Sequence, residues 1–195
     1  MTHDTRSGFT GREPAIVTLK LVSGTPSLRA RGVVRALREV LRAVRARADF
    51  RVVHYSIQGD HMHLVVEADG QRALSNGLKA LGARLARCVN RLFARSGPVF
   101  RERYCMRVLC SPREVRHALA YVLLNVRKHG ALRAPEIDPA SSGCFLGHWS
   151  RSVRNARGSP RDPEVAGART WLLSIGWRRC GAIDPGYTPG RGRAL

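Results

Sequence analysis

The chain is short of carboxylates. It carries 14 Asp and Glu against 34 Lys and Arg, a formal net charge of +20. A surface so poor in acid repels other cations and expects a polyanion, of which nucleic acid is the commonest. Nearly all of the positive charge is arginine, whose planar fork of donors suits phosphate; a GC-rich coding sequence favours arginine over lysine too, but does not remove carboxylates. Paired cysteines are also missing. Cys88, Cys105, Cys110, Cys144 and Cys180 form no C-x-x-C, their number is odd and their spacing irregular. That excludes a zinc ribbon and argues against a disulfide scaffold, so the expectation is reduced thiols in a cytoplasmic protein. No apolar run approaches the ~18 residues of a membrane span. The opening "MTHDTRSGFTGREP" has no apolar stretch of the signal-peptide kind.

What is present reads as one α+β domain with additions. Residues 1–13 lack pattern and are expected to be a flexible N-terminus. "AIVTLKLV" at 15–22 alternates and is β-branched, as a half-buried strand should be. From about Ser27 a helix is expected, with Val33, Leu37, Val40 and Val44 recurring at helical spacing. Arg31, Arg35, Arg38, Arg42 and Arg45 form a second stripe on it. "FRVVHYSI" at 50–57 and the strand beginning at His61 are separated by "QGD", which makes them a hairpin. A long helix follows, with Leu74, Leu78, Leu81, Leu85 and Leu92 on one face and Arg84, Arg87, Arg91 and Arg95 on another. Residues 103–109 read as a further strand. "SPREVRHALAYVLLNVRKHG" is the best-marked helix: Ser111 as N-cap, Pro112 at the first position, Glu114 completing a capping box, and Gly130 as stop.

The order β-α-β-β-α-β, with a final helix, matches a ferredoxin-like antiparallel sheet with packed helices. Residues 14–130 are expected to form this domain. Residues 131–195 are rich in Gly, Pro and Arg, hold Trp149, Trp171 and Trp177, and form a basic extension in which only 164–177 looks helical.

Two features bear on chemistry. In "GDHMHLVVEA", His61 and His63 flank Met62, and the two-residue period of a strand puts both imidazoles on one face. Such a pair is either a metal-ligand geometry or two solvated histidines. On the last helix the stripe Val115, Leu119, Val122 and Val126 is core. Tyr121 and Asn125 lie one turn apart, about 100° away from it at ~100° per residue, with Lys128 and His117 on their side. A tyrosine there is either a packing residue at the edge of the core or a nucleophile.

His-x-His, a basic helix, a strand and a helix-borne Tyr-x-x-x-Asn, in that order, resemble the single-tyrosine HUH transposases of the IS200/IS605 type. The chain is similar above all to the REP-associated tyrosine transposases, over about Ala15 to Gly130. The resemblance implies that His61 and His63 are metal ligands, Tyr121 the nucleophile, and Asn125 the polar residue that completes the metal site. It implies a divalent cofactor, Mg²⁺ or Mn²⁺, and single-stranded or hairpin DNA as partner. Cleavage would pass through a 5′-phosphotyrosine link, in a monomer or a homodimer. Lys128 could steady the phenolate, and Arg84, Arg87, Arg91 and Arg95 could track the DNA backbone. Two departures stand out. Asn125 is followed by Val126 where many relatives have proline, so the helix is expected to run further, and Ile16-Val17-Thr18 stands where relatives begin His-Val-Thr. The alternatives are a non-catalytic nucleic-acid-binding protein that keeps the fold, or a related nuclease of replication or conjugation.

Overall fold

A computed structural model describes residues 9–45, 47–102, 104–129, 136–155 and 162–190, with the side chains of residues 128–129 and 154–155 outside that description. Strands β1 (Ala15–Lys20), β2 (Phe50–Ile57), β3 (His61–Ala68) and β4 (Cys105–Val108) form an antiparallel sheet in the order β2-β3-β1-β4. Helices α1 (Val33–Val44) and α2 (Gln71–Leu92) cross between them, and α3 (Pro112–Leu124) follows β4. This is the ferredoxin-like order expected from the sequence.

Alternation along the strands splits the core in two. Val17 and Leu19 on β1 and Leu64 and Val66 on β3 pack with Leu37 and Leu41 of α1 and Leu78 and Leu81 of α2. Ile16 and Val65 point the other way, onto Val115, Leu119 and Val122 of α3. A sheet covered on both faces has few free positions, which is why β2 and β3 read as almost unbroken apolar runs. One irregularity keeps the sides in step. A bulge between Val52 and His54 adds a residue to β2. It shifts the parity, so that Val52 and Tyr55 both face α1 and α2 while Val53 joins the α3 side.

Several helix limits differ from the sequence expectation. Helix α1 begins at Val33 rather than near Ser27, after Gly32 with φ 81°. A left-handed residue cannot continue a helix backwards, and glycine adopts it without strain. Leu28 is buried in the turn before it, and Leu41 rather than Val40 is fully buried on its inner face. On α2 the buried stripe passes through Cys88 and Val89, leaving Leu92, at the helix end, 44% exposed. Helix α3 starts with both halves of the Ser111–Glu114 capping box, worth about 1 kcal/mol. Its α geometry ends at Leu124, and a 3₁₀ turn, Asn125–His129, carries the chain on. Gly130 lies outside the described residues. In the stretch 164–177 only α4 (Trp171–Ser174) is α-helical, followed by a 3₁₀ turn at Gly176–Cys180. The intervening pair β5 (Glu136–Ile137) and β6 (Arg154–Asn155) is short and parallel.

The described parts of the segment after residue 135 are tied to the sheet. Ile57 N–H donates to Ala140 O, Ser142 N–H to Tyr55 O, and Ala166 N–H to Val52 O, which covers the outer edge of β2. Glu67 at the end of β3 is fully buried. It accepts from Arg51 Nε, the backbone N–H groups of Arg169 and Thr170, and Thr170 Oγ1. The α1 arginines, which the sequence shows only as a stripe, find acids here. Arg38 meets Glu164 at 3.4 Å, and Arg42 and Arg45 meet Asp162 at 2.9 and 2.8 Å. Arg29 holds the buried Asp138 with two parallel bonds of 2.8 and 2.9 Å. At the other end of the chain, Phe9 is buried in the α1–α2 core, so packing begins inside the stretch 1–13 that the sequence marks as flexible.

Candidate active site

The register of the sheet builds the site. Thr18 on β1 lies opposite both His63 on β3 and Cys105 on β4, and Lys20 lies opposite His61. Paired residues share a face, so Thr18, His63, Cys105, His61 and Lys20 all point to the α3 side. Here the two histidines meet: His61 Nε2 and His63 Nε2 are 3.0 Å apart, with ring centroids 4.5 Å apart. Their Nδ1 atoms are engaged elsewhere, His61 with the Asp60 carboxylate at 2.7 Å and His63 with Thr18 Oγ1 at 2.9 Å. The bond to His61 holds the Asp60 carboxyl below its ordinary pKa, because it favours the ionised form.

This arrangement has a chemical meaning. When Asp60 accepts from His61 Nδ1–H, the His61 Nε2 lone pair faces His63. If His63 likewise donates from Nδ1 to Thr18, two lone pairs confront each other and only a cation between them relieves the repulsion. Ligands at ~2.0–2.2 Å from one ion, 90–110° apart, stand roughly 3.0–3.5 Å from each other. The observed separation therefore fits two imidazoles sharing a divalent ion. Among the described residues no group of three or more His, Cys, Asp and Glu side chains could hold a metal. The remaining positions would fall to an amide oxygen, water or substrate.

Helix α3 brings Tyr121 onto the pair, its ring centroid 5.0 Å from that of His63 in an edge-on contact. The ring is half-buried, and burial raises the pKa of its hydroxyl, since a phenolate loses solvation there. Asn125 sits one turn on, at the junction of α3 and the 3₁₀ turn, and is 3% exposed. It is not among the residues bordering the cleft. The Lys128 side chain lies outside the described residues. The cleft, of ≈ 450 Å³, is bounded by His61, His63, Tyr121 and Thr18 together with Lys20, Arg101, Glu102, Tyr104 and Cys105.

The four arginines of the expected stripe, three on α2 and Arg95 just beyond its end, are not brought to this cleft. Arg84, Arg87 and Arg91 border a groove against Ala36 and Val40 of α1, behind the sheet. Arg95 donates to Thr25 Oγ1 and Pro98 O. Sequence reasoning also passed over Thr18, Asp60, Lys20 and Arg101. The first three had a signal: the alternation of β1 puts Thr18 and Lys20 on one face, and Asp60 directly precedes the first histidine. Of the three tryptophans, Trp177 is buried, Trp149 half-buried, and Trp171 exposed beneath Arg179, 5.2 Å from its ring centre.

An antiparallel sheet of this order, with a histidine pair on its third strand and a tyrosine helix folded against it, defines a class of α+β proteins. Residues 26–122 match the model of the IS200-like transposases, and this segment, with both histidines and Tyr121, belongs to that family. The match stops short of Asn125. Among solved structures, a REP-associated tyrosine transposase bound to a REP hairpin superposes with a TM-score of 0.55 at 16% identity, covering 68% of this chain and 76% of that one. A protein from Deinococcus radiodurans with a provisional transposase designation gives a TM-score of 0.43 at 16% identity, covering 67% of this chain and 96% of its own. No curated protein matches the sequence. No described helix is long and apolar enough to cross a membrane.

Proposed function

We propose that this chain is a metal-dependent endonuclease and strand transferase for single-stranded or hairpin DNA, of the single-tyrosine HUH type. The observation that carries this reading is the meeting in one cleft of two imidazole nitrogens 3.0 Å apart and a tyrosine ring 5.0 Å from one of them. The net charge of +20 supports a DNA partner, and the related REP-associated transposase was solved with a hairpin. His61 and His63 would hold the ion, Mg²⁺ or Mn²⁺, with Asn125 as the expected third ligand. Bound there, a divalent ion supplies Lewis-acid polarisation of the scissile phosphate.

The rest falls to the chain. Tyr121 Oη attacks phosphorus, the bond from phosphorus to O3′ breaks, and the phenolic proton ends on the departing 3′-hydroxyl. The 5′-phosphotyrosine conserves the bond, so attack by another 3′-hydroxyl reverses the step and joins strands without an energy source. The raised pKa of Tyr121 means that its ionisation needs positive charge in the cleft, which Lys20 and Arg101 supply beside the metal site. Backbone phosphates near the cut meet those two residues first. Arg84, Arg87, Arg91 and Arg95 serve DNA that has left the cleft.

The test is incubation with end-labelled hairpin oligonucleotides and Mn²⁺, followed by denaturing electrophoresis. A covalent protein–DNA band is expected from the wild type and none from Tyr121→Phe, with hairpin affinity within about twofold, because one hydroxyl is lost and the phosphate contacts stay. Binding without any adduct from the wild type would leave a DNA-binding protein that has kept the fold.

A further inference from the structure

The segment after residue 135 closes a pocket of ≈ 350 Å³ against the outer strand of the sheet. Strand β2 contributes Val53 and His54, α4 contributes Leu173, and the 3₁₀ turn beyond it contributes Trp177 and Arg178. None of the lining residues borders the cleft, and all but the two on β2 lie beyond residue 122, where the family match ends. Val53, Leu173 and Trp177 are buried and make the walls apolar. The buried polar side chain of the lining is His54, 7% exposed. Ser142 Oγ accepts from Tyr55 N–H and donates its one proton to Tyr55 O, so it accepts from His54 Nδ1–H at 3.1 Å. Ser142 does not border the pocket, and His54 Nε2 has no partner among the described residues. The ring is neutral near pH 7, because burial lowers its pKa to about 4. It therefore turns a free lone pair towards the pocket. Gly147 and Gly167 line the pocket from exposed positions, and a Cβ built at either meets nothing within 4 Å, so no side chain narrows the mouth there. Arg178 is exposed as well, and its guanidinium has no partner among the described residues.

We propose that this pocket binds a small aromatic carboxylate whose ring carries a hydroxyl or N–H, with that donor on His54 Nε2 and the carboxylate on Arg178. The chemistry of the lining selects this class. The apolar enclosure takes the ring, and the rings of Phe145 and Trp177 are among its walls. A lone pair on a neutral, buried imidazole takes a donor and rejects an acceptor. A single guanidinium matches a carboxylate through two parallel bonds, whereas a phosphate dianion would find half of its charge unanswered. The volume lies at the low end of the roughly 300–1,000 Å³ of small-molecule sites, which suits one ring and its side group. Because β2 supplies one side and the segment after residue 135 the other, the ligand bridges them and stabilises their docking.

Calorimetry on the full chain with para-hydroxyphenylacetate tests this, without DNA. The wild type is expected to bind it with a Kd on the order of 0.1 mM. Phenylacetate, which leaves the His54 lone pair unanswered, should bind about tenfold less tightly. Removing either half of the charge pair, with para-cresol as ligand or with Arg178→Ala, should weaken binding by about tenfold as well. Gly167→Phe fills the mouth from an exposed position without a left-handed φ and should abolish binding. His54→Phe should erase the preference for the hydroxyl, and Arg178→Ala and Gly167→Phe report independently should that buried variant be unstable. Melting curves confirm folding, and the ligand should raise the melting temperature of the wild type but not of Gly167→Phe. No binding to the wild type at millimolar concentration overturns the site. So does equal affinity for wild type and Gly167→Phe. Thymidine monophosphate bound as tightly as para-hydroxyphenylacetate overturns the carboxylate assignment.

Discussion

The strands that carry the histidines and the segment after residue 135 are held by opposite means. The first is positioned by period and register: Thr18 and Lys20 two apart on β1, His61 and His63 two apart on β3, and a tyrosine one turn from Asn125 meet because strands and helices repeat. The second is held by single long-range contacts: Glu67 with Thr170, Glu164 with Arg38, Asp138 with Arg29, Ser142 with the backbone of Tyr55. A periodic arrangement survives small changes in any one residue but puts its chemistry on very few atoms. A set of long-range anchors does the reverse, with stability concentrated in a few buried acids and chemistry in none of them.

Perturbations can separate the two. The largest expected effect is on chemistry alone. His63→Ala should lower adduct formation by about a thousandfold or more, of the order seen when metal-ion or oxyanion stabilisation is removed, while hairpin affinity and melting temperature barely move. A variant that still forms the adduct would show that the imidazole pair is not the metal site.

Next is Glu67→Gln. It leaves Arg51 without its buried carboxylate and replaces an acceptor of four bonds with an amide. Breaking a buried pair of this kind costs about 3–5 kcal/mol. Urea unfolding should show it, with cleavage by the folded fraction unchanged. Loss under 1 kcal/mol would mean that the segment after residue 135 is not anchored at this point.

The third prediction concerns acid. His54 is buried on β2, its Nδ1 3.1 Å from Ser142 Oγ, and burial lowers its pKa from about 6.5 to about 4. The folded value lies below the unfolded one, so the unfolded chain binds the extra proton between them. Stability is therefore full above pH ~6.5 and falls as the pH drops towards 4, by up to about 3 kcal/mol. Melting in this window should lose its slope in His54→Gln. An unchanged slope would assign the acid sensitivity to other groups.

The smallest effect tests the hinge between the two modes. Asp60→Asn leaves the strands intact but weakens the partner of His61 Nδ1. Mn²⁺ affinity, read by calorimetry without DNA, should fall about 10- to 100-fold, the usual consequence of losing such a partner. Thr18→Val should act in the same direction through His63. Unaltered Mn²⁺ binding in both would make these contacts packing only.

The same contrast explains what the sequence discloses. The helix start at Ser111, the hairpin at 57–61, the shared face of His61 and His63, and the Tyr121–Asn125 spacing are local patterns, readable from period and cap chemistry. The bulge at Val53 is not, because a one-residue parity shift in an apolar run leaves no mark. Nor are the α1 arginines legible as intramolecular partners: a stripe that meets DNA and a stripe that meets Asp162 and Glu164 look alike until the chain returns. The α2 arginines teach the same lesson in reverse, since helical spacing aligned them but said nothing of which side of the sheet they would occupy. Thr18 and Asp60 were readable in part, through alternation and adjacency, yet their bonds to Nδ1 atoms depend on side-chain orientation that no pattern carries.

The cover over the outer edge of β2 has a consequence for biogenesis. The sheet and its three principal helices are complete in sequence by residue 129, but the groups that satisfy the β2 backbone come from Ala140, Ser142 and Ala166. Synthesis runs from the N-terminus, so a nascent chain can fold its sheet while the capping strip is still inside the ribosome. During that interval the row of unpaired N–H and C=O groups is a template for a neighbouring nascent chain. Messages broken between the codons for residues 129 and 140 would yield chains fixed in that state, prone to join edge to edge and to draw longer copies into the same deposits.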